Sequence, residues 1–127
     1  MDENQIREII EELIDTFLYA GKLSLKLREQ GLIKQIKDDN TPVSNGDLEV
    51  NRILIEKIKV LTPDIPIVSE ETSHNKTKKD LINFWLIDPI DGTYDYINNL
   101  DEFTLNAGLI INKKAVAGII YLSLIHI

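Results

Sequence analysis

The run Trp85-Leu86-Ile87-Asp88-Pro89-Ile90-Asp91-Gly92-Thr93 places two carboxylates three positions apart at the end of an apolar stretch. Pro89 fixes one backbone angle and Gly92 permits a positive φ, so the segment reads as a strand running into a turn. Such a turn can aim Asp88, Asp91 and the carbonyl oxygen of Ile90 at one point. Oxygen-only donors suit a hard cation such as Mg²⁺. Upstream, Ile67-Val68-Ser69-Glu70-Glu71 sets further carboxylates at another strand end, and separate strand ends can converge on one metal. Each segment also has a plainer reading. Carboxylates in a D-x-x-G sequence cap turns, and a Glu pair is commonly a solvated loop. A third segment, Lys37-Asp38-Asp39-Asn40-Thr41-Pro42-Val43-Ser44-Asn45-Gly46-Asp47, reads by itself as a turn followed by a helix cap.

Elements must hold these segments in place. Ile6, Ile9, Ile10, Leu13, Ile14, Phe17 and Leu18 recur at helical spacing, with Glu8, Glu11, Glu12 and Asp15 mostly between them. They predict an amphipathic helix from residue 3 to about 29, with Gly31 as its stop. Residues 33–43 are polar, contain Pro42, and read as an extended segment or loop. Ser44 is a natural N-cap with Asp47 three positions on, which predicts a second helix that ends at Pro63. Ile65 to Val68 then reads as a short strand, residues 72–80 as a Lys-rich surface loop that includes His74, and Phe84 to Ile87 as a buried strand. Phe103 to Ile111 and Ala115 to Tyr121 predict two more strands, joined at Asn112-Lys113-Lys114. Two helices followed by strands is an α+β order.

Composition narrows the classes. The chain has 127 residues, 43% hydrophobic and 28% charged. That is enough to bury a core and excludes a disordered or collagen-like chain. Fourteen Lys and Arg against 21 Asp and Glu give a net charge of −7. This argues against a nonspecific nucleic-acid binder, which needs a basic face, but a bound cation can still bring in an anionic substrate. There is no cysteine, so disulfides, thiolate catalysis and cysteine-ligated zinc are excluded. The acidic N-terminus does not resemble a secretory signal, and no apolar stretch reaches the ~18–20 residues of a transmembrane segment. A cytoplasmic protein is expected, which leaves room for peripheral association with the inner membrane. The residues Leu122-Ser123-Leu124-Ile125-His126-Ile127 read like the translation of a transposon-end sequencing adapter. Residues 1–121 are therefore expected to form the domain and 122–127 a non-native tail, in which His126 is no ligand. An ordinary strand end is the plainer reading.

Together the three acidic segments resemble the inositol-monophosphatase-like superfamily of Mg²⁺-dependent, lithium-sensitive phosphatases. Lys37 to Asp47 is similar to its K-x-D-x-S-P-V-T-x-x-D segment, Ser69-Glu70-Glu71 to its G/S-E-E element, and Asp88 to Thr93 matches D-P-[IL]-D-G-T without change. Pro63 to Glu71, Phe84 to Asp88 and Glu102-Phe103-Thr104-Leu105-Asn106 are similar to the bacterial CysQ-type branch, the 3'(2'),5'-bisphosphate nucleotidases. That branch continues D-G-T-K-E-[FY], whereas Tyr94-Asp95-Tyr96 stands in this chain. The family's later W-D-x-x-x-G motif, with a further metal-binding aspartate, does not occur in it.

The resemblance implies the N-terminal half of a layered α/β/α/β/α sandwich: two helices packed on an antiparallel β-sheet. It implies that Glu70, Asp88 and the Ile90 carbonyl hold one Mg²⁺, and that Asp88 and Asp91 share a second. Asp39, paired with Thr93, would position and deprotonate the attacking water. Glu70, Ile90, Asp91, Gly92 and Thr93 would border the substrate. The substrate implied is a small phosphate ester, first 3'-phosphoadenosine 5'-phosphate. The absent lysine after Thr93 keeps an inositol or sugar phosphate open, and an inactive metal-binding or dimer-forming module is a further alternative. Family members include monomers and dimers, so a homodimer is compatible.

Overall fold

The computed structural model describes residues 1–69, 71, 81–100 and 102–122. Glu70, the 72–80 segment with His74, and residues 123–127 of the expected tail lie outside the described residues.

Helix α1 runs Glu3–Gln30. Asp2 and Gln5 form a reciprocal capping box at its start, and Gly31 ends it at φ 96°, a conformation that glycine adopts without a Cβ penalty. The segment expected to be extended is a small antiparallel hairpin, β1 (Lys34–Ile36) and β2 (Pro42–Ser44). Helix α2, Asn45–Leu61, starts at Ser44 with the expected capping box to Asp47. Such a cap stabilises a helix by about 1 kcal/mol. The C-cap residue Thr62 carries the indole of Trp85, whose Nε1 donates to Thr62 Oγ1 at 3.0 Å. This ties the end of α2 to the sheet.

The main sheet has the order β3-β4-β5-β6, from Ile67–Ser69, Phe84–Asp91, Thr104–Ile111 and Lys114–Leu122. It is not wholly antiparallel: β3 runs parallel to β4, with Ser69 opposite Ile87. The remaining pairs are antiparallel. A two-residue turn, Asn112-Lys113, with φ of 53° and 63°, joins β5 to β6, as the twist of a hairpin prefers. Alternation sends Trp85, Ile87, Leu105, Ala107 and Leu109 to one face. There they form the core with Leu13, Phe17 and Ala20 of α1 and Val50, Leu54 and Ile58 of α2.

Among the described residues no element covers the other face of the sheet. Ile120 on β6 is 64% exposed, and Val116 and Leu122 are exposed beside it. Ile119 beside it packs against the core, because period-two alternation sends it to the helical side. A single-turn helix that the apolar pattern did not reveal, α3 (Thr93–Ile97), follows β4. It is too short for periodicity to signal.

Candidate active site

Asp88 and Asp91 lie on one strand, not in a turn after it. In a regular strand, residues three apart face opposite ways. The register breaks here: Asp88 pairs with Asn106 and Asp91 with Thr104, so β4 carries one extra residue. Pro89 and Ile90 are buried consecutively within this bulge. Proline lacks the N–H that a regular ladder needs, so a bulge accommodates it. The extra residue returns Asp88 and Asp91 to the same side. Both line an open concavity of about 720 Å³ on the uncovered face of the sheet, together with Leu86, Asn106 and Ile120. Asp88 Oδ1 is shielded from solvent, while Asp91 is exposed. The Ile90 side chain is 2% exposed and belongs to the core, which leaves its carbonyl oxygen as the group it could offer a site.

Gly92 follows in a left-handed conformation, φ 88°, and turns the chain into α3. The hydroxyl of Thr93 then makes a bifurcated contact, 2.9 Å to Asp47 Oδ2 and 3.2 Å to the Ile90 carbonyl oxygen. The other carboxylate oxygen of Asp47 accepts from the backbone N–H of Ser44 at 2.8 Å and from the Ser44 hydroxyl. Asp47 is fully buried. One side chain thus caps α2 and holds the turn after β4.

This corrects the expected partner of Thr93. Asp39 lies exposed in the β1–β2 turn and accepts from Thr41, from its hydroxyl and from its N–H at 3.1 Å. The Thr41 hydroxyl, and next its N–H, hold the Asp39 carboxyl below its ordinary value. Local hydrogen bonds to Thr41 therefore occupy Asp39, as in other Asx turns. The signal for Asp47 was present as the last residue of the Lys37–Asp47 segment, but its capping role supplied a sufficient reason for the carboxylate.

At the end of β3, Ser69 Oγ donates to Asn51 Oδ1, which lies one turn beyond Asp47 on α2. The Glu71 side chain is almost fully buried and pairs with Lys37 Nζ at 3.6 Å. Helix α2 therefore touches the ends of both β3 and β4. Among the described residues no three acidic or imidazole side chains come together as a metal cage. The two expected carboxylates that are described, with the Ile90 carbonyl, form an oxygen-only donor set, which fits a hard cation.

The inositol monophosphatase family model matches residues 5–125. The chain belongs to the inositol monophosphatase family. Relatives in this family include the 3'(2'),5'-bisphosphate nucleotidase CysQ of Haemophilus influenzae, 38% identical over 117 residues, covering 87% of the chain and 44% of that protein. The CysQ of Aggregatibacter actinomycetemcomitans is 35% identical over 115 residues, covering 89% and 43%. Among solved structures, the SuhB protein of Bartonella henselae superposes with a TM-score of 0.79 at 22% identity, covering 91% of this chain and 45% of that one. The Thermotoga maritima IMPase gives 0.77 at 23%, covering 90% and 44%. These structures share the fold. The chain spans less than half the length of the curated relatives it matches. Among the described residues no helix is long and apolar enough to cross a membrane.

Proposed function

We propose that this inositol monophosphatase family chain belongs to a Mg²⁺-dependent phosphomonoesterase that hydrolyses 3'-phosphoadenosine 5'-phosphate to AMP and phosphate. The observation that carries the reading is the Thr93–Asp47 hydrogen bond beside the Asp88–Asp91 bulge. The buried Asp47 carboxylate and the two carboxylates of β4 lie at the ends of neighbouring elements. The names of the CysQ relatives support the choice of substrate.

Glu70, Asp88, Asp91 and the Ile90 carbonyl would hold the metal. Bound there, Mg²⁺ supplies neutralisation of the phosphoryl oxygens and a lower pKa for water. Thr93 donates its hydroxyl hydrogen bond to Asp47, which leaves the Thr93 oxygen lone pairs to accept a hydrogen bond from an attacking water. The proton passes through the hydroxyl to Asp47 Oδ2, which acts as general base. The water oxygen bonds to phosphorus as the P–O ester bond breaks; the departing oxygen takes a proton from solvent and Asp47 returns its own to solvent, so AMP and inorganic phosphate are the products. Ile90, Asp91, Gly92 and Thr93 border the phosphate. No covalent protein intermediate is required.

Tyr94, 69% exposed directly after Thr93, stands where the CysQ pattern carries lysine and favours the second reading, an inositol or sugar phosphate. Phosphate release from 3'-phosphoadenosine 5'-phosphate, inositol 1-phosphate and a hexose phosphate, each with and without Mg²⁺, separates the two in the whole protein. A dominant rate on the bisphosphate supports the first reading, and a dominant rate on inositol phosphate replaces it. The 127-residue chain alone is expected to turn over poorly, because its concavity is open among the described residues.

A further inference from the structure

Tyr96 is fully buried, although its position on a one-turn helix beside an exposed site does not require it. Its hydroxyl donates to the Ser24 carbonyl of α1 at 2.7 Å. Its ring meets Phe103 edge-on at 4.8 Å between centroids, and the Arg28 guanidinium lies 5.8 Å from its centre. Arg28 also donates to the Leu100 carbonyl at 2.7 Å, which closes the segment after α3 over the ring. The fit against α2 is tighter still. A Cβ at Gly46 would stand 2.1 Å from the Tyr96 hydroxyl oxygen and 2.8 Å from two ring carbons. Tyr96 therefore occupies the space that a side chain at position 46 would fill, one residue before Asp47 and three after Thr93.

We propose that Tyr96 is a positioning residue: anchored on Ser24 and lodged against Gly46, it fixes the first turn of α2 and the start of α3 so that Asp47 and Thr93 stay in register. This rests on the phosphatase reading of the site. Without the anchor, the Asp47–Thr93 bond has less support in holding the two turns together, and a displacement of about 1 Å at a reacting group lowers turnover by as much as 10²-fold. Burial, and next the charge of Asp47, raise the Tyr96 hydroxyl above its ordinary value, so it remains a donor at neutral pH.

A double-mutant cycle separates positioning from folding. In the whole protein, Tyr96→Phe is expected to lower kcat by about tenfold with KM unchanged, on the scale of such misplacements. In an Asp47→Asn background the same change is expected to cause no further loss, because Tyr96 acts through Asp47. General destabilisation would lower activity equally in both backgrounds, and an additive loss, or none, overturns the inference. Three-bond couplings that report the Thr93 χ1 angle, measured in this chain, give a readout independent of turnover. One rotamer is expected in the unmodified chain and an average in Tyr96→Phe. A single rotamer retained in the variant refutes positioning, whereas absent phosphate release from the unmodified protein refutes the phosphatase reading and leaves the couplings to decide the role of Tyr96.

Discussion

Asp47 and Thr93 stand 46 positions apart and share a 2.9 Å hydrogen bond that joins the first turn of α2 to the turn after β4. The same carboxylate caps its own helix through Ser44. A side chain serving both ends is held in one orientation, which is what a base aimed at a reacting water requires.

Asp47→Asn in the whole protein should lower kcat by about 10²–10⁴-fold, the range for loss of a positioned base. Asp39→Asn should leave turnover within about twofold, because an exposed turn residue has no proton to move in the reaction. Comparing the two variants in one phosphate-release assay checks the correction from Asp39 to Asp47. Equal losses, or a larger loss for Asp39→Asn, would show that the Asp47 assignment is wrong.

Asp91→Asn should abolish Mg²⁺-dependent turnover while the melting temperature hardly moves. Asp91 is exposed at the end of β4, so the amide changes charge without changing packing. A metal-bound carboxylate contributes directly to holding the cation and to charge stabilisation. Near-normal activity at ordinary Mg²⁺ would remove Asp91 from the metal site.

Gly92→Ala should destabilise the chain by about 1–3 kcal/mol, the scale of a strained left-handed residue. Gly92 has φ 88°, and an added Cβ would stand 2.8 Å from the Glu102 carbonyl oxygen. Backbone, unlike a flexible side-chain tip, cannot move aside cheaply. Urea unfolding followed by the fluorescence of Trp85, the single tryptophan, gives the change.

Alkaline stability should depend on Tyr96. Burial, and then the charge of Asp47, hold its folded pKa above the ordinary 10.0, against the opposing pull of Arg28. The folded state then binds the phenolic proton more tightly than the unfolded state. The contribution is whole below pH 10.0 and is lost as pH rises toward the folded value, by up to about 1.4 kcal/mol per pH unit. Tyr96→Phe should flatten that loss. Urea midpoints measured in both proteins above pH 10.0 test it, and parallel slopes would show that Tyr96 does not titrate with unfolding.

Local chemistry made much of the fold legible. The isoleucine spacing of α1, the Ser44–Asp47 cap of α2, the stop at Gly31 and the β5–β6 hairpin all depend on residues within a few positions of one another, and all form as expected. The D-P-I-D-G-T run and its companion segments identified the family for the same reason: a motif is local. Tertiary structure decided what depends on distant partners. The one-residue bulge opposite Thr104 and Asn106 puts Asp88 and Asp91 on one face, and no pattern within β4 states which strand will lie beside it. The choice of Asp47 over Asp39 as the partner of Thr93 follows from where the start of α2 meets the turn at Gly92. The need for glycine at position 46 comes from the ring of Tyr96, fifty positions on, which fills the space beside it. Spacing along the chain specifies caps and turns, while contacts between elements exist only once the core has packed them together.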